Sequence, residues 1–189
     1  MGGALFSDEQ GYLVACIDGG ARGNPGPAGY GVVVEDERGR PVAELSEYLG
    51  RQTNNYAEYS GLLAALSYAI KHGFKAMKVV SDSELMVKQI KGEYKVNNPT
   101  LKELNAQAMK LIDQLECFEI RHVLREKNKQ ADRLANLAMD RGTFKQAPAL
   151  PQVAAKPVRE VNGVVRGGTV EFLGDAFPEG TLVRIRAAK

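Results

Sequence analysis

Tyr12-Leu13-Val14-Ala15-Cys16-Ile17-Asp18 is a short apolar run that ends in an acid and enters Gly19-Gly20-Ala21-Arg22-Gly23-Asn24-Pro25-Gly26-Pro27. It reads as a strand feeding a glycine-rich turn. Gly29 to Glu35 and Val42 to Leu49 are β-rich and are separated by Asp36-Glu37-Arg38-Gly39-Arg40, so three antiparallel strands joined by hairpins are expected. The period then changes. Tyr59, Leu62, Leu63, Leu66, Ala69 and Ile70 recur at helical spacing, with a cap at Thr53 or Asn54 and a stop at Lys71-His72-Gly73.

The same reasoning continues outward. Met77 to Asp82 is a strand ending in an acid, and Ser83 to Lys91 is a short helix stopped by Gly92. Asn98-Pro99 places a capping residue before a first-turn proline, ahead of Leu101, Leu104, Ala108, Leu111, Ile112 and Leu115. Cys117 to Leu124 is a fifth strand. A last helix is expected from Asn128 to Arg141, with Ala131, Leu134, Leu137 and Ala138 facing inward and Gly142 as its stop. The order βββαβααβα predicts an α/β fold, a five-stranded mixed sheet flanked by helices.

Residues 1–142 form the expected main domain. Residues 143–160 turn to Pro, Ala, Gln and Lys and read as a linker. Residues 161–189 read as a small β-rich C-terminal extension of two or three strands, from Val161 to Arg166, Gly168 to Leu173 and Thr181 to Arg186. So short a segment makes a poor core of its own and is expected to dock on the main domain, another copy or a partner. It carries seven Lys or Arg and four Asp or Glu together with residues 143–160, which leaves the main domain at −1 within a chain of +2. A nucleic-acid partner is neither demanded nor excluded by that balance, and phosphate affinity would have to come from local patches, cations or the tail.

No apolar run approaches the ~20 residues that span a bilayer, so no membrane association is expected. Met1 to Gln10 lacks a basic region followed by an apolar stretch, which points to a cytoplasmic protein. Cys16 and Cys117 sit in apolar strands, have no ligand-like neighbours, and are expected to be buried reduced thiols.

Four acids occupy suggestive places in this order. Asp18 and Asp82 end strands, while Glu58 and Asp132 fall in the first turns of the two long helices. Strand ends and helix starts can converge at one rim of a covered sheet. Converging carboxylates repel, and burial raises the cost, so a cluster of them makes physical sense around cations. All-oxygen ligation suits hard ions such as Mg²⁺ or Mn²⁺. Taken singly, acids in these places serve equally as helix caps or surface residues.

Their neighbours add specificity. The segments IDGGARGNPGPAGYGVVV around Asp18, TNNYAEYSGLLAAL around Glu58, VVSDSELMVKQI around Asp82 and REKNKQADRLANLA around Asp132 resemble, in order, the four signature blocks of type 1 ribonuclease H. The resemblance covers residues 12 to 141 and implies a ribonuclease H-like fold. It implies a metal-dependent endonuclease that hydrolyses the RNA strand of RNA/DNA hybrids and leaves 5′-phosphate and 3′-hydroxyl ends. Two Mg²⁺ ions, with Mn²⁺ as a substitute, would be held by Asp18, Glu58, Asp82 and Asp132. Asn54 and Asn55 match the asparagines that contact the hybrid through its minor groove, where amides reach 2′-hydroxyls. Gly19, Asn24 and Ser83 match further substrate-side positions. Gly23-Asn24-Pro25-Gly26 alone also reads as a hairpin turn, and Asn54 also as a cap.

The chain departs from the common pattern in two places. Many relatives carry a histidine in the loop before the last helix, whereas Val123-Leu124-Arg125-Glu126-Lys127-Asn128 has none. His72 reads as a dipole partner at a helix C-terminus and His122 as an ordinary strand residue. The short loop resembles that of a compact subgroup, and Arg125 is the candidate for the supporting role. The basic protrusion of other relatives is replaced by Gly92 to Asn98, with no tryptophan in the chain, so the basic tail is expected to supplement hybrid binding. A monomer is expected, with self-association through the extension as the other arrangement. Three functions fit the resemblance: a hybrid-specific nuclease, a hybrid-binding module without catalysis, and a nuclease that also accepts double-stranded RNA. All four acids argue for catalysis, because a pure binder gains nothing from clustered carboxylates.

Overall fold

The computed structural model describes residues 11–146, 163–166 and 169–172. Its main unit contains β1 (Leu13–Ala21), β2 (Gly26–Asp36), β3 (Pro41–Gln52), α1 (Asn54–Lys71), β4 (Ala76–Ser81), α2 (Glu84–Ile90), α3 (Pro99–Ile112), β5 (Cys117–His122) and α4 (Lys129–Gln146), with one 3₁₀ turn at Arg125–Lys127. The sheet order is β3-β2-β1-β4-β5. β1 pairs antiparallel with β2 and parallel with β4, and β4 pairs parallel with β5. The expected five-stranded mixed sheet is therefore the observed one.

Alternation along the strands divides the two faces. Leu13, Ala15 and Ile17 of β1, Val32 and Val34 of β2, and Met77 and Val79 of β4 join Leu62, Leu66 and Ala69 of α1 and Leu104 and Ala108 of α3 in one apolar core. Tyr59 is buried among them. Its hydroxyl donates to Gln89 Oε1 at 2.9 Å and accepts from Asn105 Nδ2 at 3.2 Å, so the polar end is satisfied inside the core.

On the opposite face α4 lies against β1, β2 and β3 with the small residues Ala131, Ala135 and Ala138. Approach is close because β2 offers glycine there: a Cβ at Gly31 would sit 2.3 Å from Ala131 O and 2.6 Å from Ala135 N. Leu134 and Leu137, expected inward, are only half-buried, because small-on-small packing brings the alanine stripe to the sheet.

Local signals act largely as expected. Thr53 Oγ1 accepts from Tyr56 N at 3.3 Å and is the α1 cap, while Asn98 Oδ1 accepts from Leu101 N at 3.1 Å with Pro99 behind it. His72 closes α1, with Nδ1 2.8 Å from Tyr68 O.

Several expectations need correction. β1 continues through Ala21, so Gly19 and Gly20 are strand residues paired with Tyr30 and Gly29 rather than part of the turn. Gly142 does not stop α4. The helix runs on to Gln146, and Gly142 packs where a Cβ would lie 1.9 Å from Tyr48 Cγ. Its missing side chain serves a contact with β3 instead of a cap. Cys16 and Cys117 form no disulfide, as expected, but are only partly buried, since both lie outside the main core.

The C-terminal unit begins at Pro148. Its described residues form an antiparallel hairpin of β6 (Gly163–Arg166) and β7 (Thr169–Phe172), with Val165 opposite Val170. The expected third strand at 181–186, and most of the expected linker, lie outside the described residues. Among the described residues no helix is long and apolar enough to cross a membrane.

Candidate active site

Three of the four acids meet where the parallel β1–β4 ladder ends. Ile17 and Ser81 are the last paired residues, and the next residue of each strand is an aspartate, Asp18 and Asp82. Glu58 arrives from α1, one turn inside the helix rather than in its first turn. Gly19 permits the approach: a Cβ there would stand 2.1 Å from Glu58 N. Carboxylate oxygens of Asp18, Glu58 and Asp82 all lie within 4.8 Å of one another.

Asp18 is 6% and Glu58 4% exposed, and Glu58 Oε2 is buried with no hydrogen-bond partner. Burial is the largest cause that lifts Asp18 to about 7, followed by the Asp82 charge and a shared hydrogen bond with Asp82. Glu58 is raised well above the carboxylate range by burial first, then by the charges of Asp18 and Asp82, against a lowering hydrogen bond from the Gly19 backbone. A folded chain keeps such a cluster only at electrostatic cost. An unpartnered buried carboxylate oxygen beside two further carboxylates is a donor set that fits hard divalent cations.

Asp132 stands apart from this group. It lies in the first turn of α4, and its Oδ1 accepts a hydrogen bond from Arg125 Nη2, while Asn136 Nδ2 donates to its Oδ2 at 3.2 Å. Arg125, Glu126, Lys129 and Asp132 line an open hollow of about 260 Å³. Arg125 also pulls the pKa values of Asp18 and Glu58 downward, so its charge reaches the cluster. A larger hollow of about 350 Å³ lies among α2, α3 and β5 and is lined by none of the four acids.

The remaining expected residues lie at the start of α1, in the β1–β2 turn and just after β4. Asn54 and Asn55 are half-buried at the start of α1, and Asn24 is exposed in the β1–β2 turn. Asn24 Oδ1 accepts from Asn54 N at 3.2 Å, which ties the turn to the helix terminus. Ser83 follows Asp82 and donates its backbone N–H to Ser81 Oγ at 3.1 Å. Glu84 pairs with Lys88 at 2.7 Å and is thereby engaged along its own helix.

One further residue at the rim is not signalled by the sequence. Asn128, expected only to begin the last helix, is 2% exposed and extends its amide between the strands. Nδ2 donates to Ile17 O at 2.7 Å and to Asp82 Oδ1 at 2.9 Å. Asparagine before a helix ordinarily signals a cap, which hides any other role.

Residues 16–138 match the family described as Reverse transcriptase-like. The chain is 48% identical over 129 residues to a bifunctional protein of Mycobacterium tuberculosis, an alignment covering 68% of this chain and 35% of that protein. The chain therefore spans about a third of that relative's length. It is 42% identical over 133 residues to ribonuclease HI of Halobacterium salinarum, covering 70% of this chain and 67% of the relative. Among solved structures, the compost-derived LC11-RNase H1 in complex with an RNA/DNA hybrid is 44% identical, with a TM-score of 0.66 and coverage of 69% of this chain and 99% of that one. Sheet order, helix placement and these identities converge on one assignment: the chain belongs to the type 1 ribonuclease H family.

Proposed function

We propose that the protein hydrolyses the RNA strand of RNA/DNA hybrids, with Asp18, Glu58, Asp82 and Asp132 holding two divalent cations. The observation that carries this reading is the three-carboxylate cluster, two of its acids buried and one Glu58 oxygen orphaned, within a chain 44% identical to a protein solved on an RNA/DNA hybrid. Mg²⁺ is the expected ion, with Mn²⁺ as a substitute, because every candidate ligand is an oxygen. Bound there, the cations supply charge neutralisation for the attacking and leaving oxygens of an in-line displacement.

The protein's own residues do the positioning. Asp18 and Asp82 are fixed by adjacent strands and Glu58 by a helix pressed onto Gly19, so their oxygens need little rearrangement. Asp132 supplies a further carboxylate from α4, and Arg125 holds it by an ion pair. Asn54 and Asn55, at the start of α1, offer amides to the minor groove and to 2′-hydroxyls, the group that separates RNA from DNA. Asn24, bonded to the start of α1, Gly19, packed against Glu58, and Ser83, next to Asp82, are the further candidates for contact with the backbone. Cleavage on this path leaves 5′-phosphate and 3′-hydroxyl ends.

The test is incubation with labelled RNA/DNA hybrid, double-stranded RNA and double-stranded DNA, in Mg²⁺, in Mn²⁺ and in chelator. Hybrid cleavage dependent on metal is the expected result. Cleavage that survives chelation removes the metal reading, and tight hybrid binding without cleavage in either metal replaces the enzyme with a binding module. Added cleavage of double-stranded RNA broadens the substrate class without changing the site.

A further inference from the structure

We infer that Asn128 is a positioning residue for the acidic cluster, its single amide setting the spacing of Asp18, Asp82 and Asp132. The inference deepens the proposed hydrolytic reading and rests on it. The residue lies between the 3₁₀ turn and α4, where its carbonyl accepts the helix hydrogen bond from Asp132 N at 3.1 Å. An asparagine there would normally fold its side chain back to cap the helix. Here the side chain turns inward, and Nδ2 donates both to Ile17 O, the backbone oxygen preceding Asp18, and to Asp82 Oδ1.

Those two bonds lie beyond Ile17 and Ser81, the last pair of the β1–β4 ladder. No pairing of the two strands continues past that point to hold Asp82 against β1. The Asn128 amide supplies that link and ties both strands to the helix that carries Asp132. Two acceptors on one nitrogen also set the orientation of the amide, since the oxygen could donate to neither. The oxygen, Oδ1, is then buried without a hydrogen-bond partner. Leaving an acceptor unpaired costs stability, so this side chain is retained for its donor end. Helix stability alone would favour the ordinary cap.

A carboxylate's hydrogen-bond partners orient it toward its cation, and their removal typically costs about 10- to 100-fold in affinity or activity. Asn128→Ala should therefore lower kcat about 10- to 100-fold and raise the Mg²⁺ concentration needed for half-activation, with KM for the hybrid little changed. Calorimetric titration with MnCl₂, without substrate, should show weakened binding in the same variant. Asn128→Asp keeps the volume but places an acceptor against two acceptors, and should be at least as impaired. Asn98→Ala removes the cap of α3, a helix that carries none of the four acids, and serves as the control, lowering the melting temperature with kcat and MnCl₂ binding unchanged.

If Asn128→Ala behaves like that control, losing only melting temperature, the residue merely holds the fold and the proposal is overturned. Failure of both Asn128 variants to fold overturns it equally. Should the unaltered protein cleave no hybrid, the functional reading falls, while the MnCl₂ titration still decides whether Asn128 organises the carboxylates.

Discussion

The two halves of the acidic rim solve opposite electrostatic problems. Asp18, Glu58 and Asp82 are gathered by β1, α1 and β4 into one group in which Asp18 and Glu58 are buried and Asp82 is partly exposed, whereas Asp132 sits on α4 in partial solvent with Arg125 against it. In the first half the fold opposes its own charges, and in the second it balances them. The difference teaches that the three-acid cluster carries an uncompensated electrostatic cost, while the charge of the fourth acid is met by Arg125. An exposed ion pair of that kind contributes only about 0–1 kcal/mol, so releasing it is easy.

The contrast breaks first at the cluster. Asp18→Asn or Glu58→Gln should lower kcat on a labelled hybrid by about 10²- to 10³-fold, the range seen when one organised electrostatic contact to the reacting centre is lost. The same substitutions should raise the melting temperature in chelator, because they remove repulsion. A variant that lost activity and stability together would show that the acid holds the fold rather than the cations.

The pH dependence without metal is the next largest effect. Asp18 is raised to about 7 in the folded chain, above an unfolded value near 3.9, so the folded state binds the additional proton. Its contribution to stability is fully present below the unfolded value and is lost as pH rises through about 7. Denaturation in chelator should thus show falling stability between about pH 4 and pH 8, by a few kcal/mol at most. Asp18→Asn should flatten that slope, and saturating Mg²⁺ should reverse it. A metal-free protein most stable at pH 8 would contradict the raised Asp18 carboxyl.

The α4 side answers to packing instead. Gly31→Ala forces a Cβ to within 2.3 Å of Ala131 O and should cost about 1–3 kcal/mol in denaturant unfolding, since backbone rather than a flexible side-chain end must give way. Equal stability would mean that α4 can lift from the sheet freely. Arg125→Ala is expected to have the smallest effect on stability, under about 1 kcal/mol, with a several-fold drop in turnover. Unchanged turnover at saturating Mg²⁺ would end the supporting role proposed for Arg125.

Much of the fold is legible one segment at a time. The Thr53 and Asn98 caps and the Pro99 first turn depend on neighbours within a few residues, and each forms as expected. The acids are legible because each stands at the edge of an element whose period is visible. Gly142 misleads for the same reason. A glycine after a periodic stretch looks like a helix stop, and nothing nearby in sequence reveals that Tyr48 occupies the space beside it. The full length of β1 is hidden because Gly19 and Gly20 look like turn residues until Tyr30 and Gly29 pair with them.

Asn128 marks the boundary most clearly. Local rules make it a helix start, and its bond to Ile17 O spans 111 residues of chain. By itself the sequence determined the order of elements, the identity of the four acids and the family they resemble, because periodicity, caps and signature neighbours are local properties. Tertiary structure alone decided that three acids share one site while the fourth is paired with Arg125, and that one asparagine amide ties β1 to Asp82. Those outcomes depend on how distant strands end and which helix closes over them, and burial and Coulomb energy exist only once the chain is assembled.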